Sequence, residues 1–146
     1  MKKRVIFIIA AIFATLFIFY NSVQPADASN QSSGVFVDAI TNAIKEAGHS
    51  PRRLYITVAV RKLAHILEFA LQSFLITCCF STPFRNRIIY VLFLGLMTGC
   101  VDEYLQLFIT GRSSMIQDVF VDLLGTIIGI FAFGFLLRIQ KRPRKG

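Results

Sequence analysis

Arg61, His65, Glu68 and Gln72 follow one another at i, i+4, i+7 and i+11, so on a helix they share one face. That face carries a cation, an imidazole, a carboxylate and an amide. His65 suits general acid or base chemistry because an unperturbed imidazole titrates near neutral pH. Glu68 or Glu103 could orient it or act as the second acid–base group, and Asp118 is a further carboxylate of this kind. Arg61, Lys62 and Arg112, with Gln106 as a hydrogen-bonding neighbour, could hold a phosphate or another anionic head group. Asp102, Glu103 and Asp122 could hold a divalent cation, although their spacing forms no known metal motif.

The elements that must position these residues are unusually apolar. The chain has 146 residues, 55% of them hydrophobic, a mean hydropathy of +0.62 and a net charge of +8. A soluble basic protein of this size is not also this apolar. The composition excludes a disordered chain, a disulfide-rich secreted module and an ordinary soluble enzyme. It predicts an all-α integral membrane protein, a four-helix bundle. The four segments are Val5 to Tyr20, Leu63 to Phe80 with a backward extension over Leu54 to Val60, Ile88 to Ile109, and Val119 to Leu137. The first has a rival reading as a cleaved signal peptide, with Ala26-Asp27-Ala28 as the cleavage site. The length of its apolar stretch and the distance to that site favour a retained anchor.

Between the first two segments, Gln24 to Gly34 reads as a polar linker. From Val35 to Ala47, Phe36, Ile40, Ala43, Ile44 and Ala47 recur at helical spacing. Gly48 follows as a stop, with Pro51 shortly after. This predicts an amphipathic interfacial helix. The chain thus divides into a first transmembrane helix (1–23), an outer linker and amphipathic helix (24–59), a three-helix membrane domain (60–138) and a basic tail (139–146). Cys78, Cys79 and Cys100 read as packing residues, not as a disulfide framework.

Short-loop basic residues fix the orientation. Lys2, Lys3 and Arg4, then Arg85 and Arg87, then Arg138, Lys141, Arg142, Arg144 and Lys145 all fall on one side, with no acid among them. That side is expected to be cytoplasmic, with both termini inside. The net charge is therefore a topology signal, and no nucleic-acid partner is expected. Every acid falls on the outward side. There Arg61, Lys62, His65, Glu68, Asp102, Glu103, Gln106, Arg112, Asp118 and Asp122 gather in one layer within about 10 Å of the outer surface, at 1.5 Å per residue.

Five carboxylates in this layer face three fixed cations. Burial makes an uncompensated excess costly. His65 could be protonated, one or two acids could be neutral, or a cation could bind. Gly95 and Gly99 share a stripe with Asp102 and Gln106, and Gly125 and Gly129 share one with Asp118 and Asp122. These small-xxx-small pairs place the acids at helix interfaces, away from lipid. Ser114-Met115-Ile116-Gln117 matches a capping box, which would start the last helix at Ser114. Its N-terminus beside Arg112 would form an anion site, unless Asp118 already fills that field.

Arg61-Lys62-Leu63-Ala64-His65-Ile66-Leu67-Glu68-Phe69 resembles the R-K-x-x-H-x-x-E-[FY] motif of the VanZ-like family. Asp102-Glu103-Tyr104-Leu105-Gln106-Leu107-Phe108 resembles its D-E-x-x-Q-x-F motif. Arg112, Asp118, Gly125 and Gly129 match the pattern that follows. The resemblance covers Val60 to Leu137, and Asp122 departs from it where the pattern usually has Asn. It implies a small multi-helix protein of the bacterial cytoplasmic membrane, in a family typified by a teicoplanin-resistance protein. It supplies no reaction. Two functions follow as expectations. One is an enzyme modifying a lipid or lipid-linked envelope precursor at the outer leaflet. The other is a non-catalytic binding protein for a glycopeptide or a cell-wall precursor. Transport is disfavoured, because Ile88 to Met97 and Ile127 to Leu137 carry no ionisable residue.

Overall fold

The computed structural model describes residues 2–50, 52–80, 83–112 and 114–140. Pro51 and residues 141–146, including most of the basic tail, lie outside the described residues. Within them the chain forms five helices and no strand: α1 (Lys2–Ser22), α2 (Ala26–Glu46), α3 (Arg53–Cys79), α4 (Phe84–Gln106) and α5 (Ile116–Gln140). Three of these, α1, α4 and α5 to Ile139, are long and apolar enough to cross a membrane. The 27-residue α3 is the hub. It packs against all four other helices, most extensively against α5. The apolar stretch Leu54 to Val60 is continuous with it.

Glycine decides how closely α5 can approach its neighbours. A Cβ on Gly125 would sit 2.5 Å from the Ile66 carbonyl oxygen, and one on Gly129 would strike the Ala70 carbonyl and Ser73. Gly95 of α4 faces Thr126 of α5, and Gly99 faces Asp122. Both small-xxx-small pairs therefore lie at contacts: Gly95 and Gly99 at α4–α5, Gly125 and Gly129 at α5–α3. They let α5 slot between α3 and α4, which brings Asp122 between the polar stripes of both.

Three local expectations are corrected. Gln24 to Gly34 is not a linker, because α2 begins at Ala26. Asp27 lies in its first turn, where a negative charge suits the helix dipole. The Ser33 hydroxyl donates back to the Ser29 carbonyl at 3.0 Å, so serine here supports the helix instead of breaking it. Gly48, at φ +82°, does provide the expected stop. The second correction is that α4 ends at Gln106, and the N–H groups of Phe108 and Ile109 bond three residues back, closing tight turns before Gly111 at φ +77°. Third, α5 starts at Ile116, not Ser114, and the Met115 N–H just before it donates at 2.9 Å to the Glu103 carboxylate of α4. A partner from another helix replaces the local capping box.

Helix α2 packs on α3. Val37 and Thr41 are buried against the bundle, while Phe36 and Ile40 stay exposed. Exposed large apolar side chains also run along α1, α4 and α5. Water would penalise so much apolar surface, whereas lipid would not.

Candidate functional site

The polar layer assembles from the end of α1, the middle of α3, the end of α4 and the start of α5, and it splits into two halves around His65. On one side a pocket of about 110 Å³ opens between α3, α4 and α5, lined by Arg61, Lys62, His65, Glu103, Asp118 and Asp122 among others. On the other, a cleft of about 480 Å³ opens between α1, α2 and α3, where Tyr20, Phe36, Arg61, His65, Glu68 and Arg112 meet. Arg61 and His65 line both.

At the centre, His65 Nδ1 lies 3.3 Å from Asp122 Oδ1 and 3.9 Å from Asp102 Oδ2. Asp102 is fully buried and Asp122 is 1% exposed. Asp102 is well supported: Gln106 Nε2 donates to its Oδ2 at 2.8 Å, and the Ser22 hydroxyl donates to its Oδ1. Asp122 is not, since neither oxygen has a hydrogen-bond partner among the described residues. A buried carboxylate with no donor is costly, so the question of compensating charge settles on these three groups.

The other expected residues are more fully occupied. Lys62 Nζ pairs with Asp118 Oδ1 at 2.7 Å, which ties α3 to the first turn of α5. Glu68 accepts from Asn21 Nδ2 at 2.8 Å. Glu103, besides holding Met115, stands 3.5 Å from Gln106 Nε2. Arg112 donates to the backbone carbonyls of Asn21 at 2.6 Å and Gln24 at 3.0 Å. Burial, with Arg61 nearby, pushes its guanidinium below its ordinary pKa. The anion site expected from Arg112 and the α5 N-terminus is thus filled by the protein's own groups, Glu103 and Asp118 included. Arg61 is the exception, its guanidinium having no hydrogen bond or ion pair among the described residues.

The groups close enough to share one cation are His65, Asp102 and Asp122, their ligand atoms all within 4.8 Å of one another. His65 stands where Glu103 was expected, because Glu103 is turned to the α5 start.

Residues 7–138 match the family described as VanZ/LLP1. The chain belongs to the VanZ/LLP1 family. No curated protein and no solved structure matches it. The VanZ/LLP1 match is longer than the motif resemblance from Val60 to Leu137, and it takes in most of α1 and all of α2.

The geometry gives that longer reach a physical sense. Asn21 and Ser22, the last polar residues of α1, hold Glu68 and Asp102, and Thr15 accepts from Gln72 at 2.8 Å. Sequence reasoning missed all three. The available signal was that Asn21 and Ser22 end an otherwise apolar helix at the depth where the acids gather.

Proposed function

We propose that this chain is a multi-pass protein of the bacterial cell membrane, linked through its family to teicoplanin resistance. In this reading it acts as an enzyme on a lipid or lipid-linked, anionic envelope precursor at the outer leaflet. Helix α3 crosses with α1, α4 and α5 as a four-helix bundle. Both termini are cytoplasmic, and α2 lies at the outer interface with Phe36 and Ile40 toward lipid.

One observation carries the enzymatic reading: two buried carboxylates converge on the imidazole of His65 beneath a pocket and a cleft that share an unpaired arginine. Register alone requires no such arrangement. Helices can be locked by Lys62–Asp118 and Asn21–Glu68, which are present as well. Arg61 would receive the head group of the substrate. The His65, Asp102 and Asp122 centre would do the chemistry, passing a proton between the imidazole and the substrate or holding a cation that polarises it. Glu68, Glu103 and Asp118 would keep the walls in place, and Gln106 would hold Asp102.

The test is purified protein in lipid nanodiscs with lipid-linked cell-wall precursors, products read by mass spectrometry. Turnover that falls at least 10-fold in kcat/KM for Arg61→Ala, through loss of a charge-assisted contact, is the expected result. No product from any envelope lipid would overturn the reading.

A second reading keeps the same site without chemistry. The wider cleft places Tyr20 and Phe36 near Arg61, so it could seat a glycopeptide or precursor head group without reaching the buried carboxylates. It predicts saturable binding with graded losses on mutation.

A further inference from the structure

The centre leaves one problem unsolved. Asp102 and Asp122 are both essentially without solvent, and the polar group facing Asp122 among the described residues is His65 Nδ1, 3.3 Å from its Oδ1. Neutral His65 could offer one proton to one oxygen, but the pair is too long for a strong bond. A charge-assisted N–H···O contact is about 2.7–2.9 Å, and His65 Nδ1 to Asp122 Oδ1 is 3.3 Å.

The separations instead suit ligands around one ion. Two donors each about 2.1 Å from a tetrahedral divalent ion stand about 3.4 Å apart. The two separations from His65, 3.3 and 3.9 Å, bracket that value, and all three ligand atoms lie within 4.8 Å of one another. One divalent charge would offset both carboxylates.

The surroundings agree. Asp102 is oriented by Gln106 and Ser22, the kind of outer hydrogen bonds that fix a ligating carboxylate. His65 and Asp122 also line the 110 Å³ pocket, which leaves room for water or a substrate oxygen at an open position.

We propose that His65, Asp102 and Asp122 bind a first-row divalent metal ion, through imidazole Nδ1 and one oxygen of each carboxylate, with a remaining position open to the pocket between α3, α4 and α5. Mixed imidazole and carboxylate donors suit zinc or manganese better than magnesium or calcium, which take oxygen ligands alone. This rests on the enzymatic reading and names what its centre holds, but binding needs no substrate to be measured.

The experiment is calorimetric titration of full-length, chelator-stripped protein, carrying no polyhistidine tag, with Zn²⁺ and separately with Mn²⁺. One ion bound per chain is expected for at least one metal, with a rise in melting temperature. Asp122→Asn removes one charge at constant shape, and His65→Ala removes the nitrogen ligand. Each is expected to weaken binding at least 10-fold, while Asp38→Asn on α2 leaves it unchanged. Gln106→Leu, which touches no ion, is expected to weaken it by about 10–100-fold through Asp102. Absence of one-to-one binding of either ion to the unmodified protein would overturn the proposal, as would unchanged affinity in Asp122→Asn. Turnover without metal binding would sink this inference and leave the enzymatic reading standing. Metal binding without turnover would do the reverse.

Discussion

At the scale of single residues, the chemistry of the layer divides between groups that are paired and groups that are not. Gln106 belongs to the paired groups, since its amide holds buried Asp102. Gln106→Leu leaves that carboxylate oxygen without its donor and is expected to cost about 1–3 kcal/mol of stability. Chemical unfolding in detergent would show it, and an unchanged midpoint would show that Asp102 finds another donor. The residue types were legible in the sequence: Arg61, His65, Asp102 and Asp122 all stood out as ionisable groups inside apolar segments. Their partners were not. Whether Lys62 pairs with Asp118 or points to a ligand depends on how α3 and α5 pack. Whether Glu103 binds a cation or caps Met115 depends on where α5 starts. Neither is a local property of the chain.

At the scale of elements, close helix contact is what brings the acids inward. Gly125→Ala would press a methyl against the Ile66 backbone carbonyl and the Phe69 Cβ. Neither can yield without moving a helix, so a loss of about 1–3 kcal/mol is expected. Gly34→Ala in α2 meets nothing within 4 Å and should instead stabilise by about 0.5–1 kcal/mol through helix propensity. Equal effects of the two substitutions would contradict the packing described. Helix α1 is also more than an anchor, because Asn21 and Ser22 hold Glu68 and Asp102. The mature protein is therefore expected to retain α1, checked by its intact mass. A mass matching cleavage after Ala28 would contradict this. The glycine pairs were readable as interfaces from their four-residue spacing. The helical start of α2 was not, because serine and asparagine read as linker when their back-bonding to the helix cannot be seen.

At the scale of the whole molecule, charge and hydropathy are segregated end to end. All the acids lie away from the ends and loops where Lys2, Lys3, Arg4, Arg85, Arg87 and Arg138 gather. With the native cysteines removed, a cysteine at position 42 is expected to react with a membrane-impermeant thiol reagent in intact cells, and one at position 85 only after lysis. Reaction of both in intact cells would refute the orientation. The segregation of charge along the chain was legible from composition and charge position alone. The division of the polar layer into two openings around His65 was not, since it depends on where α1 and α2 stand beside α3. The central claim is that this divided layer performs chemistry and does not only hold helices together. The most direct measurement compares product formation from lipid-linked precursors by the native protein and by His65→Ala at equal amounts of folded protein. The account predicts conversion by the native chain and at least a 100-fold loss per folded molecule in the variant. Equal product from both, or a variant that loses stability while keeping its rate per folded molecule, would contradict it.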